Sequence, residues 1–282
     1  MIIVALALLG VVLGSFVNAL VWRLHEQATI RKKKGGRSLP TQAANNLSII
    51  KGRSMCPHCR HTLAAKDLVP VLSWLWLRGR CRYCHRTISR QYPAVELLTG
   101  LLLALGYAAW PAFDAAGVIR FGFFVVFTVF FVALALYDTK WFLLPNKLVF
   151  PLIGLAATQV ALLAIWQRSF GDAWQPVAGA AVIYGLFWGL YKVSKGQWIG
   201  GGDVKLVIAL GLIAGSPVRA LLVVFCASLL GTFASFPLLL KGRKGMTQHI
   251  PFGPYLLAGC FLVVLFAGNV IDWYQQLLSL TY

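Results

Sequence analysis

The sequence predicts an all-α polytopic membrane protein, with about eight transmembrane helices and a small polar cysteine module between the first and second. Three observations predict it. Apolar residues make up 59% of the chain and mean hydropathy is +0.74, above the range of soluble domains. Those residues fall into runs that approach or exceed the ~20 needed to span a bilayer. The charge is also patterned: of 26 Lys and Arg, fourteen lie between His25 and Tyr92, and most others flank apolar runs on alternate sides. That is the positive-inside distribution. It assigns the net charge of +18 to membrane topology and argues against a nucleic-acid partner.

The apolar runs, in order, are approximately 1–24, 93–111, 117–137, 148–166, 174–192, 204–216, 218–240 and 252–271. The first lacks a positive amino-terminal region, since its first basic residue is Arg23, and it lacks a clear small-residue cleavage site. It reads as a retained helix. The run after Asp203 is short, which is compatible with a re-entrant or broken helix. If all eight span, both termini are outside and the inside loops are 25–92, 138–147, 193–203 and 241–251. Outside loops then carry few basic residues, Arg120, Arg168 and Arg219, along with Asp114, Asp172 and Asp272. Lys140, Lys147, Lys192, Lys195, Lys205, Lys241, Arg243 and Lys244 fall in or beside the inside loops. The expected organisation is therefore a first helix, 1–24; a basic cytoplasmic loop with a tetracysteine module, 25–92; and a seven-helix domain, 93–282. The segment 31–53, basic with Gly, Ser and Asn, reads as a flexible surface loop.

Two CxxC pairs, Cys56-Pro-His-Cys59 and Cys81-Arg-Tyr-Cys84, stand 21 residues apart. Two such knuckles suit a tetrahedral structural zinc, each supplying two thiolates. The alternatives are paired disulfides, disfavoured in a reducing compartment, or free thiols. His58, His61 and His85 lie close by but read as solvated imidazoles. Cys226 and Cys260 sit in apolar runs and read as packing residues.

Only eight Asp and Glu occur, and a carboxylate at membrane depth costs roughly 2.5–3.5 kcal/mol on insertion scales. Asp138 ends the run 117–137 and precedes Leu144-Pro145. Asp203 follows Gly200, Gly201 and Gly202 in a G-x-G-D sequence, where bare backbone allows an extended chain or another helix to approach. The topology count puts both acids at the cytoplasmic face. Two interacting carboxyls can divide the work of peptide hydrolysis, one ionised to deprotonate water and the other protonated to donate to the carbonyl. The plainer readings are an N-cap for Asp203 and a salt bridge from Asp138 to Lys140, Lys147 or Lys205. Glu96, a third intramembrane acid, sits within a turn of the helix start at Pro93, with a structural or substrate-lining role.

The chain resembles the bacterial type IV prepilin peptidases, the leader peptidases of the GxGD aspartic class. The matching pieces are Gly14-Ser15-Phe16-Val17-Asn18 with Arg23-Leu24; the two CxxC pairs; Ile88-Ser89-Arg90-Gln91-Tyr92-Pro93 with Val95-Glu96-Leu97; Asp138 with Leu144-Pro145; Gly200-Gly201-Gly202-Asp203-Val204-Lys205-Leu206; and Ile250-Pro251-Phe252-Gly253-Pro254-Tyr255. The resemblance implies that Asp138 and Asp203 are the catalytic dyad of a multi-pass enzyme of the bacterial inner membrane. It implies cleavage of the basic leader from prepilins or pseudopilins, as in type IV pilus and type II secretion systems, at the cytoplasmic face. It further implies methylation of the new amino terminus with S-adenosylmethionine. Many members carry further acids where this chain has Lys140 and Asn146, leaving Asp138 as the only candidate in that segment.

Two other classes compete. A proton- or cation-coupled transporter would use the acids as ion sites, but it calls for acids near the midplane and often an inverted repeat, and no repeat is evident. A membrane scaffold docking a partner through its metal module accounts for the cysteines and leaves the paired acids unexplained.

Overall fold

A computed structural model describes residues 1–33, 47–49, 52–168, 171, 173–240 and 251–279. The basic segment expected over 31–53 falls mostly outside these residues, as do Lys241, Arg243 and Lys244 of the expected inside loop, Asp172 and Ile250.

Among the described residues the regular structure is helical: α1 (Ile2–Lys33), α2 (Leu72–Trp76), α3 (Gln91–Ala108), α4 (Ala115–Trp141), α5 (Asn146–Gln167), α6 (Trp174–Val193), α7 (Gly201–Ala214), α8 (Pro217–Leu240) and α9 (Gly253–Ser279). The eight long helices fall on the eight apolar runs. The first continues past 24, so the basic loop opens as helix. Six of the eight (α1, α4, α5, α6, α8 and α9) are long and apolar enough to cross a membrane. α3 has 18 residues and carries Gln91 and Glu96. α7 has 14 residues, about 21 Å of helix against a hydrocarbon core of ~30 Å.

The chain divides into two compact units, Met1–Ala108 and Ala109–Tyr282. In the first, α3 packs along α1. Small residues let the two backbones close up: a Cβ on Gly10 would stand 2.6 Å from the Gly100 Cα, and one on Gly14 2.7 Å from the Glu96 Cα. Gly10 and Gly14, four apart on one helix face, form the small-xxx-small seam that membrane helices use for close packing.

In the second unit α7 is the innermost helix, packed against α5, α6, α8 and α9. Its buried residues, Val204, Leu206, Val207, Ala209, Leu210, Gly211 and Ala214, cover more than half of its circumference, and Lys205, Ile208 and Leu212 on the remaining side are half-buried. It runs antiparallel to α6, with Gly201 beside Tyr191 at one end and Gly211 against Ala180 at the other. Gly215, at φ +83°, closes it. Pro217 then opens α8, where a missing N–H costs nothing. At the other side of the site, Phe142 in the left-handed region closes α4, and Pro145 stands as the cap of α5.

Candidate active site and metal centre

The alternating helices bring the end of α4 and the starts of α7 and α9 to one end of the second unit. Asp138, in the last turn of α4, is buried, while Thr139 and Lys140 beside it face outward. Asp203 is the third residue of α7. Gly253 opens α9 between them. A Cβ on Gly253 would stand 2.6 Å from Asp138 Oδ2 and 3.6 Å from Asp203 Oδ1. The two carboxyls can therefore be no farther apart than those two distances together.

Each acid has a distinct setting. The Gly253 backbone N–H faces the Asp138 carboxyl. That N–H is free because it lies in the first turn of α9, and the next residue, Pro254, has none. The positive end of the α9 dipole points the same way. Asp203 Oδ2 turns back toward the Gly200 backbone, as an acid at the third helical position does in a capping box. Asp203 Oδ1 is buried and without a hydrogen-bond partner. So Asp203 does serve its own helix start, but with one oxygen. The other is an unsatisfied acceptor beside a second carboxyl, a costly arrangement that native structures keep for a reason.

Two of the three lysines offered by sequence as partners, Lys205 and Lys140, have other contacts. Lys205 Nζ donates to Asn146 Oδ1 (3.2 Å), and Lys140 lies over the Trp141 ring. The glycines divide as well. A Cβ on Gly202 would stand 3.0 Å from Leu144 Cβ, so Gly202 is packed beneath the α4–α5 connection. Gly200 carries the cap. Gly200 and Gly201 are exposed and Gly202 is half-buried, and Gly201 has only Tyr191 nearby at 3.8 Å. Gly253 was not among the site residues expected from sequence, although Pro251-Phe252-Gly253-Pro254 marks a helix start at the depth of the two acids.

Glu96 belongs to the first unit and is buried. Its Oε2 accepts the Val71 N–H at 2.7 Å, and the Ser15 hydroxyl faces the same carboxylate. Val71 sits at φ 59°, ψ −54°, with the Leu72 N–H donating to Pro70 O at 2.5 Å. That is a tight γ-turn of the rare hand, and a strained conformation for a β-branched residue. Glu96 thus clamps the turn leading into α2 rather than answering the dipole of its own helix.

The same unit holds the cysteines in two similar knuckles. Met55 pairs with Thr62 and Arg80 with Thr87. In each, the first cysteine's carbonyl accepts from the residue four on, Arg60 (2.9 Å) and His85 (3.0 Å), both at positive φ. The four Sγ atoms lie within 4.8 Å of one another, with Cys56 and Cys84 3.9 Å apart. Thiolates around a tetrahedral zinc with bonds of about 2.3 Å stand about 3.8 Å apart, so Cys56, Cys59, Cys81 and Cys84 fit a metal. Burial pushes the Cys56 thiol up to about 11. At Cys81 burial has the same sense, but the backbone N–H groups of Cys84 and Tyr83 outweigh it and leave the thiol at about 7. The Arg82–Asp67 pair (2.7 Å), Tyr83 donating to Asp67, and Trp74 Nε1 donating to Ile88 O brace the module. A cavity of about 140 Å³ lies between module and helices, lined by Trp74, Tyr92 and Glu96. It is smaller than the 300–1,000 Å³ of a typical small-molecule site, too small as it stands for a nucleoside-sized methyl donor.

Comparison with known proteins covers both units. The bacterial peptidase A24 N-terminal domain matches residues 8–110, and the type IV leader peptidase family matches residues 125–236. The prepilin leader peptidase/N-methyltransferase of Aeromonas hydrophila is 33% identical over 276 residues, covering 95% of this chain and 91% of the relative. The protein of the same description from Stutzerimonas stutzeri is 34% identical over 284 residues, 95% and 92% covered. The one from Bacillus subtilis is 35% identical over 240 residues, 82% and 89% covered. No solved structure matches significantly.

Proposed function

Because this chain belongs to the type IV leader peptidase family, we propose that it cleaves the leader peptide of prepilins or pseudopilins and methylates the new amino terminus, and that Asp138 and Asp203 perform the cleavage. The observation that carries the aspartates' role is their meeting at Gly253, with Asp203 Oδ1 buried and unpartnered beside a second carboxyl.

In this reading Asp138, facing the Gly253 amide and the amino end of α9, is the carboxylate. Asp203 Oδ1 carries the proton. Asp138 takes a proton from water as the water oxygen bonds to the scissile carbonyl carbon, and Asp203 donates to the carbonyl oxygen. Collapse of the tetrahedral species breaks the C–N bond: the leaving amine takes the proton from Asp138, and Asp203 takes back a hydroxyl proton as the carbonyl re-forms, which restores the starting pair. Two carboxyls sharing one proton is the standard arrangement of aspartic hydrolysis. Exposed Gly201 gives an extended substrate backbone room beside the pair.

Methylation needs the freed amine in its neutral form, and the methyl group comes from S-adenosylmethionine acting as an electrophile. Cys56, Cys59, Cys81 and Cys84 hold a structural zinc, which orders a polar segment too small to fold on a core of its own. The dyad faces the cytoplasm of a bacterial inner-membrane protein, by the positive-inside pattern. A transporter reading is not supported: the acids meet at one end of the unit, and the relatives are peptidases. Purified protein incubated with a synthetic prepilin and S-adenosylmethionine should give a shortened product with a methylated amino terminus by mass spectrometry. An intact substrate would refute the reading.

A further inference from the structure

The end of the second unit away from the aspartates holds a cavity of about 470 Å³, within the range of established ligand sites. Its floor is aromatic, formed by Phe124, Phe127, Phe131 and Phe261. Its polar lining includes Arg120, Arg219, Gln159 and Gln167. Asp114, which also lines it, has Oδ1 occupied by the Gly117 N–H as the cap of α4 (2.8 Å). Among the described residues neither guanidinium forms an ion pair, and both arginines are exposed. Along α4, Arg120 to Phe131 is about 16 Å, roughly half of the ~30 Å hydrocarbon core. Asp138 lies about 27 Å from Arg120 by the same count. The cavity therefore runs about one leaflet deep from the face opposite the dyad.

We propose that this cavity binds an anionic phospholipid of that leaflet, with its phosphate between Arg120 and Arg219 and an acyl chain on the phenylalanine floor. Guanidinium groups match phosphate oxygens with paired hydrogen bonds. A purely apolar occupant would cover the two guanidinium groups and the two carboxamides of the lining without pairing them, which is costly. A soluble anion would leave the aromatic floor unused. A zwitterionic lipid would bring an ammonium group up to the two arginines.

The test is the melting temperature of delipidated protein in detergent, with phosphatidylglycerol, phosphatidylcholine or inorganic phosphate added. Phosphatidylglycerol should raise it by about 3 °C or more beyond phosphatidylcholine, and phosphate alone should not. The double variant Arg120→Gln, Arg219→Gln should lose that difference, and the double Lys variant should keep most of it. Arg168→Gln, at an exposed arginine that does not line the cavity, should be unaltered. Leu163→Trp, which fills the cavity and keeps both arginines, should also lose the difference. Equal shifts with the two lipids, a full shift from phosphate alone, or a difference that survives both the double Gln variant and Leu163→Trp would overturn the proposal.

Discussion

Asp138 and Asp203 meet across the missing side chain of Gly253: a Cβ there would stand 2.6 Å from one carboxyl and 3.6 Å from the other. The smallest alteration of the site is thus a single methyl group.

Gly253→Ala should put that methyl against Asp138 Oδ2 and force the pair apart. Cleavage of a synthetic prepilin should fall by about a hundredfold, the usual cost of an ångström's misplacement, while the protein still accumulates in the membrane. Cleavage within twofold of the unaltered enzyme would show that the carboxyls do not need this contact.

The zinc module makes a prediction that does not involve the dyad. Purified protein should hold one zinc per chain, and Cys56→Ser or Cys84→Ser should abolish it and open the segment around α2 to protease. Protons compete with metal for the four thiolates. Acidification should therefore release zinc, and return to neutral pH should restore it, read with a colorimetric chelator. A protein that stays metal-free at neutral pH in excess zinc would remove the metal from the account.

Glu96 supplies a test within the first unit. Glu96→Ala leaves the Val71 N–H without its acceptor at a strained turn, and should destabilise the module by about 1–3 kcal/mol. Limited proteolysis before α2 would report it. Glu96→Gln keeps a side-chain oxygen in place and should recover most of the protection. Equal sensitivity of Ala and Gln would mean that charge, rather than the hydrogen bond to Val71, is what matters.

What sequence could read follows from how far each signal reaches. Asp138 and Asp203 were visible because a carboxylate at the end of an apolar run is a local anomaly. The cysteines were visible because spacing alone encodes a knuckle. The shortness of α7 was visible in the short apolar run after Asp203, although only its packing shows it to be the innermost helix of its unit. Gly253 escaped because a glycine carries no chemistry of its own, and its importance lies in two residues far away in sequence. Gly202 was read as room for an extended chain or for another helix, and Leu144 of the α4–α5 connection packs against it. The partner of Glu96 escaped for a similar reason: a hydrogen bond to the backbone of a strained turn leaves no mark in residue type.

The most direct measurement is cleavage of a synthetic prepilin by Asp138→Asn and Asp203→Asn, each checked for membrane insertion and zinc content. Asparagine keeps the size of each side chain and removes its ability to exchange a proton. The account predicts rates below about a thousandth of the unaltered enzyme for both, with zinc retained. Cleavage within tenfold in either variant would contradict it, since a carboxyl pair that works with one member replaced is not the catalytic pair.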